Sequence, residues 1–232
     1  MLLLALDTAT PAVTAALHDG TDVVAAHSQV DARRHGELLL PAVDRVLAEA
    51  GARLSDVTAV VAGVGPGPYT GLRVGLMTAE TFGLALGVPV HGLCTLDGLA
   101  HESGLTGPFV VATDARRKEV YWARYETSGD AGNAGNTDGS AATVTRIGEP
   151  AVDRPAEIAA EVAGLPAVGA GALLYPDTFT DARGPEHVSA AALASLAAHR
   201  LAAGEELLPP RPLYLRRPDA QVPKNYKVVT PK

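Results

Sequence analysis

Two apolar stretches ending in aspartate, "LALDTAT" at 4–10 and "VATDARR" at 111–117, each open a similar succession of elements. In the first half, "LLLALDTA" at 2–9, "VTAALHDG" at 13–20 and "DVVAAHSQV" at 22–30 have the make-up of strands with tight connections. "HGELLLPAVDRVLAEAG" at 35–51 instead sets Leu39, Val43, Val46, Leu47 and Ala50 on one helix face, with Gly51 as its stop. A strand at 59–64, a glycine-rich loop, a helix over 71–86 and a short strand at 88–93 follow. In the second half, strands at 109–115, 120–126 and 143–148 precede a helix at 155–164 that has Pro155 in its first turn. A short strand at 167–172 and a helix at 189–204, with Ser189 as cap, complete it. Both halves run strand-strand-strand-helix-strand-helix. The order repeats although the residues do not, which predicts an α/β protein of two similar lobes with a ligand cleft between them. The lobes are expected over 1–104 and 105–204, each with a mixed sheet and flanking helices, followed by a basic, proline-rich tail over 205–232. The Gly/Asn/Ser/Asp-rich segment at 127–142 is expected to be an excursion between two strands of the second lobe.

Charge narrows the partners. The formal net charge of −7 opposes attraction of nucleic acid to the surface as a whole. The tail is the exception: Arg211, Arg216, Arg217, Lys224, Lys227 and Lys232 face only Asp219, leaving the rest of the chain strongly acidic. Such a tail is either a solvated terminus or a dock for an acidic or phosphate-bearing partner. The single cysteine, Cys94, excludes an internal disulfide and a cysteine-based zinc site, and its apolar neighbours suggest a small core residue. "MLLLALDTAT" has no basic n-region and Asp7 interrupts it, while Glu80 and the Gly87–Pro89 break interrupt the apolar run at 76–93. The expectation is a cytoplasmic protein with no membrane segment.

The loop "GVGPGPYTGLRVG" at 63–75 sits between a strand and a helix, where many proteins hold phosphate. It fails both phosphate patterns. No register gives G-x-x-x-x-G-K-[ST], and G-x-G-x-x-G ends on Pro68 or Thr70 instead of glycine. Pro66 and Pro68 also remove two backbone donors. In the helix that follows, Gly71, Gly75, Ala79 and Gly83 recur every four residues and leave one face almost bare. Glycine inside a helix costs about 0.5–1 kcal/mol relative to alanine, so something must approach that backbone closely. It is either the chain's own helix or sheet, or a helix of another protein.

"GVGPGPYTGLRVGL", together with the upstream "HGELLLP", the opening "LALDTAT" and the ending "PLYLRRPDA" at 212–220, resembles the TsaB (YeaZ) family. That resemblance implies an ASKHA fold, the two-lobed actin-like ATPase and RNase H-like architecture. It also implies a non-catalytic subunit of the machinery that makes N6-threonylcarbamoyladenosine (t6A) at position 37 of tRNA. The implied partners are a TsaD-type catalytic paralog, a TsaE-type ATPase and tRNA as the assembly's substrate, with ATP and metal on the partner subunits. Self-pairing of the chain when alone is left open. The implied contact uses the two first-lobe helices, here His35, Glu37, Leu39, Val43, Val46, Gly71, Arg73, Gly75, Ala79 and Gly83. A degenerate nucleotide cleft is expected at Asp7, Thr8, Gly65, Gly67 and Asp114. TsaD-type subunits carry two metal-binding histidines where this chain has Thr95 and Leu99, and leucine has no donor atom.

Other readings compete with that one. Asp7 and Asp114 can orient a cation and phosphates across the cleft, which would make the chain a stand-alone ATPase or phosphotransferase of the same fold. A glycopeptidase-like metallopeptidase is weaker, because "HGELL" and "HESGL" lack the second histidine of H-E-x-x-H. His35 is a general base or a polar contact at a subunit boundary, and Arg73 an interfacial salt-bridge donor or a surface arginine. Arg116, Arg117 and Lys118 form a basic turn that is either solvated or bound to tRNA. Tyr121, Trp122 and Tyr125 are sheet residues or, on an exposed face, base-stacking platforms.

Overall fold

In the computed structural model, which describes residues 1–128 and 143–216, each half of the chain builds its own five-stranded sheet. The first half runs β1 (Leu3–Asp7), β2 (Ala12–His18), β3 (Val23–Val30), α1 (His35–Glu49), β4 (Ala59–Gly63), α2 (Tyr69–Leu86), β5 (Val90–Leu93) and α3 (Thr95–Glu102). The second runs β6 (Gly107–Asp114), β7 (Val120–Ser128), β8 (Thr143–Asp153), α4 (Pro155–Val162), β9 (Pro166–Val168), α5 (Ala170–Leu174), β10 (Asp181–Arg183) and α6 (Ala190–Ala202). The sheet orders β3-β2-β1-β4-β5 and β8-β7-β6-β9-β10 are the same topology used twice. In each, the first three strands pair antiparallel and the last two join in parallel. The expected repeat is present and longer: α3 follows β5 in the first half, and α5 and β10 come between β9 and α6 in the second. Most of the 127–142 segment, and the tail beyond Arg216, lie outside the described residues.

Five layers follow from where the apolar faces lie. Every residue of β1, β2 and β4 is buried, which requires cover on both faces of the first sheet. On the outer face, Leu39, Val43 and Val46 of α1 and Leu72 and Leu76 of α2 pack with Leu4, Leu6, Val13 and Val60. On the inner face lies α6, against β1, β2 and β3, although it comes last in the chain. Helix α3 makes the reciprocal contact with β6, β7 and β8, and α3 and α6 touch each other. The central core therefore mixes both halves: Leu3, Ala5 and Val61 share it with Phe109, Val111, Tyr125 and Leu193. The outer face of the second sheet is closed by Ile158 and Val162 of α4 and Ala172 of α5.

The local stops and caps are those the sequence suggests. Gly51 has φ +63°, and Ala52 N donates to Leu47 O at 2.9 Å beyond the end of α1. Ser189 Oγ accepts from Ala192 N at 3.1 Å at the start of α6. Two further bonds fasten that end to the first half. Ala190 N donates to Thr14 Oγ1 and Ser189 N to a Glu102 carboxylate oxygen, both at 2.9 Å. Within the central layer, the buried Asp97 of α3 accepts from Tyr125 Oη at 2.8 Å and from Arg146 of β8 at 2.6 Å. A buried carboxylate with both partners in place is satisfied rather than stranded.

Candidate functional site

The glycine loop and the end of β1 form one packed unit. Asp7 is fully buried: Oδ2 accepts from Thr95 Oγ1 at 2.7 Å and Oδ1 from Ala9 N at 2.8 Å. Thr95 in turn holds the loop, its N donating to Gly65 O at 2.8 Å and its Oγ1 accepting from Gly65 N at 3.2 Å. Gly65 has φ +93°, so a side chain there would be strained. A Cβ on Gly63 would overlap the Asp7 carboxylate, and one on Gly67 would overlap the carbonyl of Ala9. These glycines admit the chain's own backbone and carboxylate, and they leave no phosphate cradle. Asp7, expected in the degenerate cleft, is thus corrected to a buried latch, and Gly65 and Gly67, expected in the same cleft, to packing residues.

Burial pushes the Asp7 carboxyl from 3.8 up to about 6, against the lowering effect of the bonds from Thr95 and Ala9. The sign follows from linkage. The unfolded chain releases this proton near pH 3.8 and the folded chain near pH 6, so the contribution to stability is fully present below pH 3.8 and lost as pH rises through 6. The loss is about 3 kcal/mol. Asp7→Asn, which cannot ionise, is expected to flatten the change in urea midpoint between pH 4 and pH 7 that the parent chain shows. An unchanged pH profile in the variant would assign that dependence to other groups.

The cleft between the lobes is open but small. It is about 180 Å³ and is lined by Thr8, Thr10, Arg33, His35, Thr70, Gly71, Asp114 and Arg116 among others. Ligand pockets usually run to roughly 300–1,000 Å³. Asp114 reaches this cleft with its carboxylate bonded to the turn beyond it, accepting from Arg116 N at 2.7 Å and pairing with the Arg116 guanidinium at 3.1 Å. His35 Nε2 lies 2.9 Å from Thr10 O. Because a carbonyl only accepts, that nitrogen carries the proton and donates it to Thr10 O. Neither aspartate is free for a divalent cation in this arrangement: Asp7 is enclosed by Thr95 and Ala9, and Asp114 pairs with Arg116. Among the described residues, no three His, Cys, Asp or Glu side chains cluster as a metal set.

The bare face of α2 is corrected too. Gly71, Gly75, Ala79 and Gly83 are buried against the chain's own first lobe. Thr8 runs into the helix backbone, its Oγ1 donating to Gly71 O at 2.7 Å and accepting from Gly75 N at 2.9 Å. A Cβ on Gly71 would stand 2.6 Å from Thr8 O, one on Gly75 2.6 Å from Thr8 Oγ1, and one on Gly83 would overlap Val90. The stripe exists so that a threonine at the end of β1 can bond a helix backbone. Leu39, Val43 and Val46, expected at the same partner surface, lie under α1 in the outer core. Of the ten interface candidates, Glu37 and Arg73 are exposed and His35 half-buried. Glu37 pairs with Arg34 at 2.8 Å, and the Arg73 guanidinium lies 4.6 Å from the centre of the Tyr69 ring.

The outward faces of α1 and α2 carry what the sequence reading passed over. Leu40 on α1 and Tyr69, Met77 and Leu84 on α2 are exposed, Leu84 at 87%. Leu40 sits one position from the buried Leu39, and Met77 one from the buried Leu76. Helical spacing finds both faces of such a run without saying which one is covered. Thr95 and Leu99 serve the interior: Thr95 holds the Asp7 latch and Leu99 is in the central core. Cys94 is also core, its thiol pushed up to about 12 by burial, which leaves it inert at neutral pH. Tyr121, Trp122 and Tyr125 are all buried, which removes them as base-stacking platforms.

Two lobes of one repeated topology, with the opening strand of each ending in an aspartate, define an α/β protein of the ASKHA class. The family described as "TsaD: tRNA N6-adenosine threonylcarbamoyltransferase" matches residues 25–224. YeaZ from Pseudomonas aeruginosa superposes with a TM-score of 0.75 at 31% identity, covering 92% of this chain and 99% of that one. The chain belongs to this family, in its TsaB/YeaZ branch. The Mycobacterium tuberculosis (strain H37Rv) protein Rv3421c is 40% identical over 225 residues, 94% of this chain and 93% of that protein. The tRNA threonylcarbamoyladenosine biosynthesis protein TsaB of Escherichia coli (strain K12) is also 40% identical, over 131 residues that make up 54% of this chain and 55% of that protein. Among the described residues, no helix is long and apolar enough to cross a membrane.

Proposed function

We propose that this chain acts in the formation of t6A on tRNA as the subunit that pairs with and supports a TsaD-type catalytic paralog. The carrying observation is the outward face of the α1–α2 layer, where Leu40, Met77 and Leu84 stand in solvent although both helices already cover their own sheet. Exposed leucine and methionine grouped on a helical layer are the apolar core that a partner helix pair would bury. The contact is therefore assigned to the outer faces of α1 and α2, with Arg73 and Glu37 at its polar rim, and not to the glycine stripe. A non-catalytic role is supported by the enclosed Asp7, the paired Asp114 and the small cleft. On this reading the TsaE-type ATPase and the partner supply ATP hydrolysis and the metal, and tRNA is the substrate of the assembly. The unpartnered face also permits pairing of two copies when the chain is alone.

The test is reconstitution of t6A formation with TsaD and TsaE proteins, threonylcarbamoyl-adenylate, ATP and tRNA. Omitting this chain is expected to abolish product, while the chain alone gives none. Undiminished product without it, or product from the chain alone, overturns the reading.

A further inference from the structure

The last described segment binds the two lobes together. Residues 205–216 leave α6 and return over the glycine loop, with Gly92 N donating to Leu208 O at 2.6 Å and Leu213 N to Val64 O at 2.8 Å. Tyr214 then stacks on Tyr69 at the start of α2, with ring centres 5.4 Å apart. Arg216 crosses to the second lobe, donating to Ala115 O at 3.1 Å and pairing with Glu119. Its two partners flank the β6–β7 turn, where Arg116, Arg117 and Lys118 have φ of 62°, 56° and 63°. Three successive residues with long side chains in the left-handed region is a rare conformation, and it is kept here at a turn whose side chains are all cationic.

These elements make one continuous surface. Tyr214 is 45% exposed and extends the Arg73–Tyr69 stack, in which the guanidinium carbon lies 4.6 Å from the ring centre. Arg33 and Arg116 line the adjoining cleft. The Lys118 ammonium has no ion pair or hydrogen bond among the described residues. The sequence continues directly from Arg216 into Arg217 and three further lysines. An acidic peptide would satisfy the cations but has no use for the tyrosine faces. Unpaired nucleotides use both, with phosphates on arginine and lysine and bases on the rings. On a chain of net charge −7, a local cationic end would also steer an RNA away from the remaining surface.

We propose that Arg116, Arg117 and Lys118 of the β6–β7 turn, together with the exposed ring of Tyr214, form a contact for unpaired nucleotides of RNA. This rests on the reading that tRNA is the substrate of the assembly. The experiment is fluorescence anisotropy of the full chain with an unmodified tRNA transcript and with an unstructured RNA oligonucleotide, repeated with poly-glutamate as competitor. The parent chain should bind both RNAs in the range of about 1–100 µM, with affinity falling as salt rises. The double variant Arg117→Glu, Lys118→Glu should bind about tenfold more weakly and with a shallower salt slope, and Tyr214→Ala about fivefold more weakly. Thermal melting of each variant verifies that the fold is kept; Lys118→Gln alone, a milder change, should still weaken binding severalfold. No RNA binding by the parent chain, equal binding by the folded variants, or displacement of RNA by poly-glutamate at equal charge overturns the proposal. Those outcomes leave the t6A reading intact if omission of the chain still abolishes product. Conversely, a chain dispensable for t6A would sink that reading while the anisotropy still reports on this surface.

Discussion

Gly75→Leu is expected to destabilise the folded chain by about 3 kcal/mol or more, because the new side chain would be driven into Thr8 where Thr8 already bonds the helix backbone. For a chain of this size that is a fall in melting temperature of about 6–12 °C, readable by circular dichroism. The penalty has two parts. A Cβ at Gly75 would start 2.6 Å from Thr8 Oγ1, closer than real side chains approach, and relief would require α2 to lift from β1. Lifting it would break the bond from Gly75 N and the one to Gly71 O, stranding a buried hydroxyl. A melting temperature equal to that of the parent, with only partner binding lost, would mean that the stripe faces outward after all.

Leu84→Asp should give the opposite pattern. Leu84 is 87% exposed, so the substitution is expected to change stability by no more than about 0.5 kcal/mol. Association with a TsaD-type partner should weaken by about 2 kcal/mol or more, roughly thirtyfold, since a carboxylate would be buried at the centre of an apolar contact. Combined with Met77→Asp, on the same exposed face, binding in calorimetry should fall below detection. Full affinity in both variants would move the partner surface elsewhere on the molecule. The two experiments form a pair: one face of α2 carries stability and the other carries association.

The doubling of the chain was legible because it is written in period and order. β1 and β6 each read as an apolar run ending in aspartate, and α1 has its buried positions at helical spacing. Gly51, Pro155 and Ser189 mark boundaries through backbone chemistry that acts within a few residues. Helix α5 and strand β10 have five and three residues, too few for a period to show, and the eight-residue α3 buries Thr95 and Asp97 among its apolar residues, so no clean stripe marks it. Their existence is fixed by the sheets they close. The Asp97–Tyr125–Arg146 cluster joins three elements distant in sequence and left no local signal.

The candidate site divides in the same way. Four small residues at intervals of four determine that something approaches α2 closely, and the residues alone establish that much. What approaches is Thr8 with the end of β1, and this depends on β1 pairing parallel with β4 so that its carboxyl end lies under the helix start. Asp7 was legible as a strand-end aspartate, yet whether it meets solvent or Thr95 is decided by a residue 88 positions away. The two lobes, the small-residue face and the absence of a phosphate motif can be read from residue order alone, because these are properties of period and composition. Which helix face is covered and which carboxylate is enclosed is settled by packing, because burial belongs to pairs of surfaces and no single segment carries it.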